Sequence, residues 1–218
     1  MRFAGSPSWL LSTSVDAMPH TALYIRDALG LDTSADDVSP PPLSHRPPDR
    51  RKLLSESERS RASSQWLPWW QAILTQESVL HGTTNTADFQ AWYARFAAER
   101  ARTVGDPPEF DALMGSPELR RAVIDLDPEA HSYRDHTRSA DAGEPTIPWT
   151  IARDAAEDVA LRHGVSVGEV RGVVLILGVE GVWSRILQPG VMICSDACLA
   201  DTAISTRLVR EVFESALP

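Results

Sequence analysis

The chain has 218 residues, a net charge of −9 and an isoelectric point of about 5.1. At this length one large or two small domains fit. The acidic balance argues against a general nucleic-acid binder, which needs concentrated Lys and Arg against phosphate. The 43% hydrophobic share is enough for a core and excludes wholesale disorder. Two cysteines, Cys194 and Cys198, exclude a disulfide-dense secreted module. No segment approaches the roughly 18–20 apolar residues of a membrane span. The apolar stretch at residues 3–11 is short and broken by Pro7, which makes a poor signal peptide. A cytoplasmic location without membrane contact is the expectation. Lys52 is the only lysine, and this arginine bias reads as GC-rich, bacterial-type coding.

The first predicted element is a helix ending near Gly30. Asp16 caps it, Pro19 suits its first turn, and Leu23, Ile25 and Leu29 give it an apolar side. Residues 32–52 read as a proline-rich arm or linker, because Pro40-Pro41-Pro42 and Pro47-Pro48 favour polyproline II and cannot hold a helix. Residues 53–80 carry the strongest helical pattern. Ser55-x-x-Glu58 is a capping box, Trp66, Leu67, Trp69, Trp70, Ile73 and Leu74 are the apolar residues, and Pro68 is expected to kink or split the helix. A third helix, from about Thr86 to Thr103, places Phe89, Trp92, Tyr93 and Phe96 on one face at i, i+3, i+4, i+7. A fourth starts at Ser116-Pro117-Glu118 and is expected to end near Asp125. Residues 127–146 read as a long polar loop and the one plausible internal boundary.

Thr150 is expected to cap a helix over Ile151–His163. The pattern then turns to strands: Val173–Leu177, Val182–Leu187 and Val191–Cys194, with turn signals Glu180-Gly181 and Pro189-Gly190 between them. The continuous apolar run of the first points to a central strand buried on both sides. A last helix runs from about Ala200 or Thr202 to Ala216. The expected fold class is therefore α+β. The N-terminal two-thirds are mostly helical, and a small C-terminal antiparallel β-meander of about three strands precedes the terminal helix. Residues 1–218 are expected to form a single domain, because a three-stranded meander with one or two helices is small for an independent one.

Four groups are candidates for function. Seven tryptophans is a high count, and Trp66, Trp69 and Trp70 cluster on one helix. Tryptophan is enriched at interface hot spots, but rings on two adjacent helices also make an ordinary core. Trp69 and Trp70 point about 100° apart, so at least one ring is expected to be partly exposed. Residues 127–136 hold two histidines, His131 and His136, and three carboxylates, Asp127, Glu129 and Asp135, residue types found in metal and acid–base sites, with no established zinc spacing. Cys194-x-x-x-Cys198 lacks the redox Cys-x-x-Cys spacing. Arg46, Arg50, Arg51, Lys52, Arg59 and Arg61 make a basic stretch diluted by Asp49, Glu56 and Glu58. No phosphate-binding glycine loop, nucleophile elbow or kinase signature is present.

The leading expectation is a non-enzymatic, cofactor-free component of adaptor, immunity-like or regulatory type. It contacts a protein partner through Trp66, Trp69, Trp70, Arg50 and Arg51. The alternative is a metal-dependent hydrolase-type enzyme with His131, Asp135 and His136 as ligands beside Glu129.

Overall fold

A computed structural model describes residues 9–14, 17–33, 38–82, 88–140 and 146–217. The fold class is α+β, with seven α-helices and one four-stranded sheet among these residues. The chain divides into two compact units. One is Asp16–Gly143, and the other combines Met1–Val15 with Glu144–Pro218.

The first unit is helical. Its elements are α1 (Ala17–Leu29), α2 (Glu56–Gly82), α3 (Phe89–Thr103) and α4 (Pro117–Ala140). The capping box forms as expected. The Ser55 N–H donates to Glu58 Oε2 at 2.7 Å, and the Glu58 N–H donates back to Ser55 Oγ at 3.3 Å. Asp88 caps α3 by accepting from the Ala91 N–H at 3.0 Å. Asp16, the expected cap of α1, lies outside the described residues. Helix α1 packs on α2 and α4, and α2 packs on α4 and α3. Leu23, Tyr24, Ile25, Leu29, Trp66, Trp70, Ile73, Leu119 and Val123 fill the space between them.

Prolines bear on two expectations for this unit. Helix α2 is continuous through Pro68 and is not split there. Pro68 is exposed, so the backbone bond it removes lies on the watered side, while Trp66, Trp69 and Trp70 hold the other side. Likewise, residues 127–140 are not a loop: α4 runs through Pro128 to Ala140. Pro128 is also exposed, and the apolar stripe continues beyond Asp125. Leu119, Ala122, Val123, Leu126 and Ala130 are all buried at helical spacing. The polar composition of 127–136 belongs to the outer face of a long helix.

The second unit holds β1 (Leu10–Ser14), α5 (Trp149–His163), β2 (Arg171–Leu177), β3 (Ser184–Gln188), β4 (Val191–Ser195), the short α6 (Ala197–Ala200) and α7 (Thr202–Ser215). The strand order is β1-β2-β4-β3. As expected, β2 is internal and buried along almost its whole length. The pairing departs from a simple meander. β1 and β4 both run parallel to β2, and only β3 and β4 pair antiparallel. The Pro189-Gly190 turn does close a hairpin, with Gly190 at a φ of +77°. Residues 178–183 instead carry the chain out from β2 and let β3 form the outer edge. Pairing order is set by which strand can be buried on both faces. Val191–Ser195 is buried at every position, whereas β3 is not, so β4 takes the inner place. Helices α5 and α7 cover one face through Ala155, Val159, Leu208, Val212 and Phe213 against Val174, Ile176, Met192 and Cys194.

Candidate functional site

The three tryptophans of α2 are interior. Trp66, Trp69 and Trp70 are 0%, 3% and 0% exposed. Each indole N–H is used within the chain: Trp66 Nε1 donates to the Ala22 carbonyl at 2.9 Å, Trp69 Nε1 to Val104 at 2.9 Å and Trp70 Nε1 to Val38 at 3.2 Å. Trp66 and Trp70 stack at 5.4 Å with planes 10° apart. The expected exposed ring is therefore absent among these three. The residues between them turn the helix enough for one ring to face α1, one the α3–α4 connection and one the proline segment.

Helix α3 carries a cluster of exposed aromatic rings. Phe89 is 57% exposed and Tyr93 49%, with Trp92 partly buried beside them. Phe89 sits 5.7 Å from Trp92 and 5.9 Å from Tyr93, and Trp92 stacks on Phe96 at 5.4 Å. Only Phe96 on this helix is buried. The sequence places all four rings on one face, but α2 has turned its own tryptophans toward α1 and the connections, so the N-terminal rings of α3 are left in water.

The proline-rich segment 38–53 is a fixed strap. Arg26, 4% exposed, is its main clamp. Its Nη1 donates to the Pro40 carbonyl at 2.6 Å and to Ser39 Oγ at 3.2 Å, its Nη2 to the Pro41 carbonyl at 2.8 Å, and its Nε to Asp27 at 2.6 Å. The guanidinium also lies 5.6 Å over the Trp66 ring. Asp27 Oδ2 accepts the Leu43 N–H at 2.7 Å, and Leu43 is buried. The Tyr133 hydroxyl donates to the His45 carbonyl. Burial, with the Asp27 charge second, pushes that phenol up to about 12, which keeps it a donor. Sequence reasoning missed Arg26. Its signal was spacing: Arg26 lies three residues from both Leu23 and Leu29, on the same apolar side.

Arg50 and Arg51, paired in the sequence expectation, separate in the structure. Arg50 is held by Glu129 of α4, with Nη2 at 2.9 Å from Oε1 and Nε at 3.1 Å from Oε2. The buried Tyr24 hydroxyl donates to the same carboxylate at 2.6 Å. Arg50 holds the Glu129 carboxyl below its ordinary range, with Tyr24 assisting against partial desolvation. Burial and that bonded carboxylate both raise the Tyr24 phenol. A folded-state carboxyl held low contributes stability above its unfolded pKa of about 4.3, and the contribution disappears as pH falls through the folded value. Wild type is therefore expected to exceed Glu129→Gln in urea midpoint at pH 7, with the gap closing toward pH 3. A gap that stays constant with pH would place the effect in packing instead of charge. Arg51 has no hydrogen bond or ion pair from its guanidinium among the described residues.

The histidine–carboxylate cluster is spread by the helix that contains it. The His131 ring Nδ1 is 2.8 Å from the Asp127 carbonyl oxygen and 3.3 Å from Asp127 Oδ1. Asp135 is exposed and meets Arg134 at 3.3 Å; His136 is exposed. Glu129 is engaged by Arg50 and Tyr24. Among the described residues no group of three or more His, Cys, Asp or Glu is placed to hold a metal ion. His131 and Asp135 share a side of α4, while His136 points a further 100° around it. The cysteines are free thiols, both buried. Burial raises the Cys194 thiol, with Cys198 and Asp196 adding to the effect, so it stays protonated. Cys198 Sγ donates to the Trp183 carbonyl at 3.2 Å. They pack as small apolar residues of the second unit.

No protein-family model, curated protein or solved structure matches this chain.

Proposed function

We propose that this chain is a non-catalytic component that works by binding another protein, with the N-terminal face of α3 as the contact. The observation that carries the reading is the exposure of Phe89 and Tyr93 beside Trp92. Large rings in water cost free energy, and clustered ones are what an interface buries at its centre. The paired charges of α3 lie toward its C-terminal end. Arg102 bonds Glu99 at 2.6 Å, and Arg100 pairs with Asp106, so the aromatic end is not screened by them. This surface replaces the tryptophans of α2, whose polar and apolar atoms are all used inside the unit.

The test is a double substitution, Phe89→Ser with Tyr93→Ser. Each residue is about half exposed, so unfolding should shift by only about 0.5 kcal/mol per site. A stoichiometric protein that copurifies with the tagged wild-type chain from its own cells, identified by mass spectrometry, is expected to be lost in this variant. It is expected to persist in Leu161→Ser, which alters an exposed apolar residue elsewhere. Absence of any such protein with wild type, or its retention by the double variant, would end this assignment.

A further inference from the structure

A cavity of about 450 Å³ opens between the C-terminal end of α1 and the strap. Among its lining residues are three arginines, Arg26, Arg46 and Arg51, and two carboxylates, Asp27 and Asp49. The charges are not equally available. Arg26 and Asp27 satisfy each other at 2.6 Å, and their remaining polar atoms hold Pro40, Pro41 and Leu43. Asp49 Oδ1 accepts the backbone N–H of Arg51 at 2.9 Å, so it holds the main chain there and not the guanidinium. Neither Arg46 nor Arg51 has a side-chain hydrogen bond or ion pair among the described residues.

Arg51 is nevertheless placed. Gly30, at a φ of +61°, ends α1, and a Cβ there would lie 2.5 Å from Arg51 Nε. The guanidinium thus lies in the space that a side chain at position 30 would fill, drawn by the negative end of α1. It does not cap that end. The Gly30 and Leu31 N–H groups take the Asp27 and Arg26 carbonyls, and the Arg50 N–H takes that of Ala28 at 2.7 Å. A planar group with five donors therefore lines a cavity with its hydrogen-bonding capacity unused.

We infer that this cavity binds a phosphate monoester, with Arg46 and Arg51 as its two ligands. Two unpaired guanidiniums supply two positive charges and forked donors, which suits a dianion with three terminal oxygens better than a single carboxylate. The volume falls in the range of small-molecule sites and exceeds a bare phosphate, so the ester's organic part has room. The assignment is independent of the α3 interface, which uses a different helix.

Calorimetric titration of the full chain with inorganic phosphate, a sugar phosphate, a phosphoserine peptide and acetate tests it. Saturable binding of the phosphate compounds is expected, weakened about tenfold by either Arg46→Gln or Arg51→Gln. Both side chains are exposed, and circular dichroism of the variants verifies that the fold is retained. A tighter sugar phosphate would identify a metabolite as the source, and a tighter peptide a modified side chain. No saturable phosphate binding, equal binding of acetate, or affinities unchanged in both variants would overturn the inference.

Discussion

Replacing Trp66 with alanine is expected to lower the unfolding free energy of the helical unit by about 3–5 kcal/mol, the cost typical of removing a buried large aromatic. Four losses combine. The ring is fully buried, so truncation leaves a cavity between α1 and α2. Trp70 loses its stacking partner at 5.4 Å, and Arg26 loses the ring face beneath its guanidinium. The Ala22 carbonyl loses its indole donor. Against a total stability of about 5–15 kcal/mol for a domain, this leaves little margin. Urea unfolding followed by far-ultraviolet circular dichroism gives the number, and Tyr93→Ser, half exposed on α3, supplies the comparison. A Trp66→Ala cost no larger than that of Tyr93→Ser would contradict the core role and return Trp66 to the surface.

That contrast shows what the sequence did and did not carry. Helix positions were legible wherever caps and apolar period agreed: Ser55 with Glu58, and the stripe from Phe89 to Phe96. The strands Val173–Leu177 and Val191–Cys194 were legible from their β-branched apolar runs, and the burial of β2 followed from the same run. Partners were not legible. Periodicity states that a face is apolar but not what covers it, so the tryptophans of α2 and the rings of α3 were equally fit for core or surface. Pro68 and Pro128 misled for a related reason. A proline breaks a helix only when tertiary contacts do not hold the flanks, and both lie on exposed faces opposite buried stripes. Strand β1 had no pattern of its own. Leu10-Leu11-Ser12-Thr13-Ser14 pairs in parallel with Arg171–Leu175, a contact across most of the chain that no local signal announces.

The second large effect is expected at Arg26. Arg26→Leu should destabilise the helical unit by about 3 kcal/mol or more, the scale for removing one partner of a buried ion pair. The packing volume is nearly kept, so the loss reports the polar clamp. Asp27 would retain only the Leu43 N–H, and the Pro40 and Pro41 carbonyls would lose their donors. A carbonyl run of prolines has no N–H groups to pair with a neighbouring strand, so a multiply donating side chain is the economical way to fix it. Lysine is a poor substitute, because its single ammonium lacks the fork that reaches Asp27, Pro40 and Pro41 together. Arg26→Lys is therefore expected to recover only part of the loss. The strap supplies its own readout: Arg50, Arg51 and Lys52 are tryptic sites, and release of the segment should speed cleavage there before global unfolding. Unchanged cleavage in Arg26→Leu, with unchanged urea stability, would show that Leu43, Tyr133 and the Arg50–Glu129 pair hold the strap without the clamp.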